Sequence, residues 1–132
     1  MLADGATRCK TDNPYEAEIG YSRAIRVGDF IAVSGTTAIQ PDGTVVGADV
    51  GEQARRIFQI IEEALVALGS SLADVIRVRH YLVDMLDFAL VAQVHREMLG
   101  RVAPAATALQ VTRFLPDGVL IEIEVDAIVR AR

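Results

Sequence analysis

The sequence predicts an α+β domain, with two helices packed on one face of a mostly antiparallel sheet. Three observations predict it. From Val119 to Val129 the chain alternates strictly: Val119, Ile121, Ile123, Val125, Ala127 and Val129 share one face, and Glu122, Glu124 and Asp126 the other. Period two is the signature of a strand with one buried face. Between Asp49 and Gly69, Ala54, Ile57, Ile61, Ala64, Leu65 and Leu68 recur at helical spacing. Between Asp87 and Leu99, Phe88, Val91, Val94 and Met98 do the same.

The elements follow in order. Ala6 to Lys10 suits a short strand, which Asp12-Asn13-Pro14 breaks. Tyr15 to Tyr21 reads as irregular chain. Ala24 to Val27, the turn Gly28-Asp29, and Phe30 to Gly35 read as a β-hairpin. Pro41-Asp42-Gly43 is a second turn. Asp49 and Glu52 form a capping-box-like start to the first long helix, and Gly69 stops it. Val75 to Val83 is a strand, with Ile76, Val78, His80 and Leu82 on one face and Arg77, Arg79, Tyr81 and Val83 on the other. The second helix ends at Gly100. Pro104 to Val111 leads to a turn near Pro116-Asp117-Gly118 and then to the alternating strand.

Composition bounds the function. The 132 residues suit a single domain, residues 1–132, with a real core. The apolar fraction of 52% is high for a small monomer, so part of it is expected at a subunit interface. A net charge of -5 gives no attraction to phosphate backbones or anionic membranes, so neither nucleic acid nor membrane is an expected partner. Cys9 is the only cysteine, which excludes an intrachain disulfide and fits a reducing cytoplasm. Met1-Leu2-Ala3-Asp4-Gly5 lacks the basic start and apolar core of a signal peptide. No apolar run is long enough to span a bilayer.

The polar face of the sheet needs a partner. It offers Arg77 and Arg79 from one strand, Glu122, Glu124 and Asp126 from another, and Tyr81, Gln110 and Thr112 beside them. Such a face is either open to water or buried between subunits. Opposite charges on neighbouring strands contribute about 0.2–1 kcal/mol per pair, so a salt-bridged face is the plain structural reading.

Several segments together resemble a known family. They are Gly20-Tyr21-Ser22-Arg23-Ala24, Arg26-Val27-Gly28-Asp29, Val33-Ser34-Gly35, Leu68 to Val75, Tyr81 to Met85, Asp87-Phe88 and Ile121-Glu122-Ile123-Glu124. The chain is identified by them as similar to the RidA (YjgF) family, over nearly its whole length. The resemblance implies a chorismate-mutase-like subunit in a homotrimeric barrel, with ligand clefts between subunits. It implies hydrolysis of reactive enamine and imine acids to keto acids with release of ammonia. An older label for the family is endoribonuclease.

The resemblance also implies a site. Tyr21 matches the Tyr of the family's Gly-Pro-Tyr-Ser segment, with the Pro missing. Ser34 matches the Ser of Val-Ser-Gly, followed by Gly35. Glu122 matches the acidic residue near the active water, and Tyr81 the aromatic of the central strand. Active members carry a carboxylate-clamping Arg in a Pro-x-Arg-Ser/Thr pattern. Here the pattern is Pro104-Ala105-Ala106-Thr107, so Ala106 replaces that Arg. Ala108 stands where some members have Cys, and Ala92 where many have Asn. The chain therefore resembles an Arg-lacking branch.

That loss can be sized. A hydrogen bond to a charged group contributes roughly 1.5–3 kcal/mol. Without the guanidinium fork, an anionic substrate weakens by about an order of magnitude or more per bond. The expected function is thus a divergent enamine/imine hydrolase of altered substrate, with Glu122 as general base and Tyr21, Ser34, Gly35, Arg79, Tyr81, Ala106, Thr107 and Ala108 around the ligand. The alternatives are a non-catalytic trimer binding a metabolite or a partner, and an RNA-cleaving protein, which the acidic composition disfavours. Arg79 is read either as a substitute anion anchor or as a salt bridge to Glu122 or Glu124. His80 reads as a satisfied core histidine, His95 as a surface or interface residue, and Cys9 as an incidental thiol. No spacing of His and Cys suggests a metal, and no cofactor is implied.

Overall fold

In a computed structural model, which describes residues 3–131, one six-stranded sheet carries the chain. Met1 and Leu2, the start of the amino-terminal stretch read above, lie outside the described residues, as does Arg132. In chain order the elements are β1 (Ala6–Cys9), α1 (Pro14–Ile19), β2 (Ala24–Val27), β3 (Phe30–Thr36), α2 (Val50–Ala67), β4 (Val75–Leu82), α3 (Phe88–Leu99), β5 (Ala105–Gln110) and β6 (Ile121–Ile128). The strand order is β1-β2-β3-β6-β4-β5, so the last strand lies inside the sheet. Every pairing is antiparallel except β4 with β5, which are parallel and joined through α3. The expected fold class holds.

Burial follows the sequence pattern on β6. Ile121, Ile123, Val125 and Ala127 are fully buried, and the acidic residues between them are half-exposed. On α2, Ala54, Ile57, Ile61, Ala64 and Leu65 face the sheet, joined by Phe58. Asp49 accepts from the Glu52 N–H at 2.8 Å, while Glu52 reaches back to the N–H of Ala48 at 2.7 Å. The capping pair is therefore offset by one residue at its second bond.

The structure corrects three details. Tyr15 to Tyr21 is not irregular. Asn13 caps α1 by accepting from the Tyr15 N–H at 3.0 Å, and Pro14 takes the first helical position, where its missing donor costs nothing. On β4 the pairing slips between Val75 and Arg77, a β-bulge that admits Ile76 as an extra residue. Val75 is therefore buried with Val78, His80 and Leu82, and Ile76 is not in that row. On α3, Val91, Val94 and Leu99 are buried, whereas Phe88 is exposed and borders a cavity.

Candidate functional site

The polar face of the sheet is wired to itself. Arg79 lies 3.6 Å from Glu124 and 3.5 Å from Asp126, and the Tyr81 hydroxyl donates to Glu124 at 2.5 Å. That contact holds the Tyr81 hydroxyl proton, raising its pKa. The salt-bridge reading of Arg79 thus describes the structure, with Asp126 rather than Glu122 as the second partner.

Glu122 is set apart from this network. No described residue gives it a hydrogen bond or an ion pair. Burial raises its pKa, the charge of Glu124 adds to the rise, and Arg23 opposes it. Its position comes from a bulge in β3, where the pairing with β6 slips between Val33 and Thr36 and takes in Ser34 and Gly35. A Cβ on Gly35 would stand 2.8 Å from the Glu122 carboxyl carbon, so glycine is what lets the carboxylate lie there. Ser34 donates its hydroxyl to the Ser22 carbonyl at 2.7 Å, tying the bulge to the segment before β2.

Arg23 anchors the same corner and was given no role by the sequence. It is 2% exposed and donates to the Gly35 carbonyl at 2.8 Å, to the Thr36 hydroxyl at 2.9 Å and to the Tyr21 hydroxyl at 3.3 Å. Glu16 balances its charge at 3.3 Å and also accepts from Thr11. Gly20, in the left-handed conformation at φ 94°, ends α1 and turns the chain so that the Tyr21 N–H returns to the Glu16 carbonyl at 3.0 Å. Its sequence hints were its place in the Gly20–Ala24 segment of the family resemblance and a Glu seven residues before it. Tyr21, Gly35 and Glu122 then line one cavity of about 210 Å³, with Tyr15 and Leu115.

A second cavity, of about 280 Å³, lies between α3 and β5. Ala106, Thr107 and Ala108 line it with Ala92, Phe88, His80 and His95. The site residues drawn from the sequence therefore fall into two groups. Tyr21, Gly35 and Glu122 form one and Ala106, Thr107 and Ala108 the other, while Ser34, Arg79 and Tyr81 border neither. Ala106 and Ala108 lie on the opposite face of the sheet from Glu122, whereas Thr107, level with Arg79, alternates to the Glu122 face. Register sets Ala106 beside Val78 and Ala108 beside buried His80, on the helix side. Glu122 alternates with buried Ile121 and Ile123 and faces the other way. Within one chain, the side chains of Ala106 and Ala108 therefore point away from a ligand held at Glu122.

Among the described residues, no group of three or more His, Cys, Asp or Glu is arranged to hold a metal ion, and no helix is long and apolar enough to cross a membrane. Comparison with known proteins decides the family. The family model described as Endoribonuclease L-PSP matches residues 11–129. The chain belongs to this family, the RidA/YjgF group. A RutC family protein of Pyrococcus abyssi is 45% identical over 105 residues, which span 79% of this chain and 82% of that one. A protein of Escherichia coli named a putative reactive intermediate deaminase is 30% identical over 111 residues, 82% of this chain and 85% of that one. A solved structure of a YjgF-family member from Mycobacterium tuberculosis superposes with a TM-score of 0.87 at 36% identity, covering 94% of this chain and 99% of that one.

Proposed function

We propose that this RidA-family chain is a divergent enamine/imine hydrolase whose site is completed between subunits of a homotrimer. The observation that carries the reading is Glu122. It is a half-buried carboxylate of raised pKa, without a hydrogen-bond or ion-pair partner among the described residues, held against Gly35 at the edge of a cavity. A carboxylate so placed suits activation of a water for attack on a C=N carbon, with Tyr21 beside it. Water adds to the carbon, the nitrogen takes the proton and leaves as ammonia, and a carbonyl remains. The deaminase name of the Escherichia coli relative supports this reaction class.

Two features support a shared site. The first is the opposite-face arrangement of the two cavities. The second is β5, an edge strand of sequence Ala-Ala-Thr-Ala-Leu-Gln whose residues are nearly all exposed. An uncharged, exposed edge is a surface that native chains cover. Residues 104–108 would then meet Glu122 of another copy. The substrate differs from an ordinary imino acid, because Ala106 supplies no fork for a carboxylate. The acidic net charge of -5 speaks against RNA as substrate. A lone thiol suits a reducing compartment such as the cytoplasm.

The test is hydrolysis of 2-iminobutanoate and of uncharged imines, assayed as ammonia release. The expected result is a rate on 2-iminobutanoate far below that of an Arg-bearing relative, turnover of an uncharged imine, and loss of that turnover by about a hundredfold or more in Glu122→Gln. Turnover unchanged in Glu122→Gln would remove the assignment. Binding of the imine without turnover would favour the metabolite-binding trimer, a reading the apolar surroundings of Ala106 also support.

A further inference from the structure

The cavity between α3 and β5 contains two imidazoles that the hydrolytic reading leaves without a role. His80 Nδ1 lies 3.2 Å from the Thr107 carbonyl oxygen, and His80 Nε2 lies 3.2 Å from His95 Nδ1. The rings meet edge to face, their centres 5.1 Å apart. The proton positions follow by elimination. A carbonyl oxygen only accepts, so His80 Nδ1 carries a hydrogen. Burial drives the His80 pKa down to about 4, so the ring is neutral and its Nε2 offers a lone pair. His95 Nδ1 must then donate to it. Burial lowers the pKa of His95 too, so its single ring hydrogen is used there. His95 Nε2 is left as a bare acceptor.

The rest of the lining is short of polar groups. Ala92, Ala106, Ala108, Val91 and Phe88 supply apolar surface, and Arg96 reaches the cavity from the exposed side of α3. A small apolar cavity with a few convergent polar groups is the usual form of a ligand site.

We propose that this cavity binds a small uncharged ligand of the amide or lactam type, with His95 Nε2 accepting from the ligand N–H. The ligand's carbonyl oxygen lies toward Arg96. A carboxylate gains a contact with the exposed Arg96 but opposes its own lone pairs to that of His95 Nε2, which the N–H of an amide or lactam satisfies. His80 is a positioning residue: it touches no ligand but fixes which nitrogen of His95 is bare. The inference rests on the proposed function only in making this cavity part of the shared cleft.

The test uses the full chain with nitrogen-15-labelled histidine and 2-pyrrolidinone as the probe. Nitrogen chemical shifts of the free protein at neutral pH should show both histidines protonated at Nδ1 and bare at Nε2. Adding the lactam should shift His95 Nε2 and leave His80 in the same tautomer. His95→Phe should weaken lactam binding by about tenfold, one hydrogen bond's worth. His80→Phe should weaken it less and let His95 sample both tautomers. An Nε2–H tautomer at His95 in the wild type, lactam affinity unchanged in His95→Phe, or tighter binding of butyrate than of the lactam would each overturn the inference. None of these readouts uses turnover. A protein that hydrolyses imines but ignores the lactam overturns this inference alone; one that binds the lactam at His95 yet hydrolyses nothing overturns the hydrolytic reading alone.

Discussion

The two cavities are built on opposite principles. Around Glu122 the framework is tied down: Arg23 by four partners, Ser34 by the Ser22 carbonyl, Tyr81 and Arg79 by Glu124. Among the described residues, the Glu122 carboxylate has no hydrogen bond or ion pair. Around Ala106 the lining is apolar, and two neutral imidazoles in series are its buried polar content. The first region stores charge and fixes it with a framework; the second keeps charge only in the exposed Arg96 at its rim. The contrast teaches that the proposed lack of a carboxylate fork at Ala106 is not an isolated feature. Its surroundings are apolar as well, which fits a ligand without a carboxylate.

The contrast can be broken most forcefully at Arg23. Arg23→Met leaves Glu16 buried without its partner and frees the Gly35 carbonyl, and should cost about 3–5 kcal/mol of stability, read as a large drop in melting temperature. A near-neutral outcome would mean that the framework under Glu122 is dispensable.

The second effect concerns His80, whose folded pKa of about 4 lies below the ordinary 6.5. Between these values the unfolded chain binds more protons than the folded one, so stability is complete above pH 6.5 and falls as pH drops toward 4. The contribution lost is on the order of 3 kcal/mol. His80→Phe should remove this component, so that the difference between wild type and variant changes with pH across that window. Parallel curves would show that His80 is not neutral by burial.

Gly35→Ala comes third. The new methyl group displaces the flexible Glu122 carboxylate, so turnover of an uncharged imine should fall by about tenfold or more, while stability changes little. The smallest effect is expected at Arg79. Its pairs with Glu124 and Asp126 are partly exposed, so Arg79→Ala should cost no more than about 1 kcal/mol and leave imine turnover intact. Loss of anion binding in that variant would revive Arg79 as a substitute clamp.

Much of the fold was legible because its periodicities are clean. β6 and α2 carry unbroken patterns; burial on β6 alternates with its pattern, and every predicted apolar position within α2 is buried, with Phe58 added. The bulge at Ile76 was invisible, since an inserted residue shifts the phase without changing residue types. Helix α1 was hidden because Asn13-Pro14 serves equally as a loop breaker and as a helix start. In the site, Gly35 and Glu122 were marked by the family resemblance, but their contact depends on the β3 bulge. The histidine pair was beyond reach: His80 and His95 sit on different elements, and each alone reads as an ordinary residue. The division of the site between two faces needed the register of β4 with β5.

The central claim is that the two cavities belong to one cleft made by two copies of the chain. Light scattering on the purified protein at micromolar concentration tests it most directly. The account predicts a single species with the mass of three chains. A clean monomer would contradict it, because within one chain Glu122 and Ala106 stay on opposite sides of the sheet.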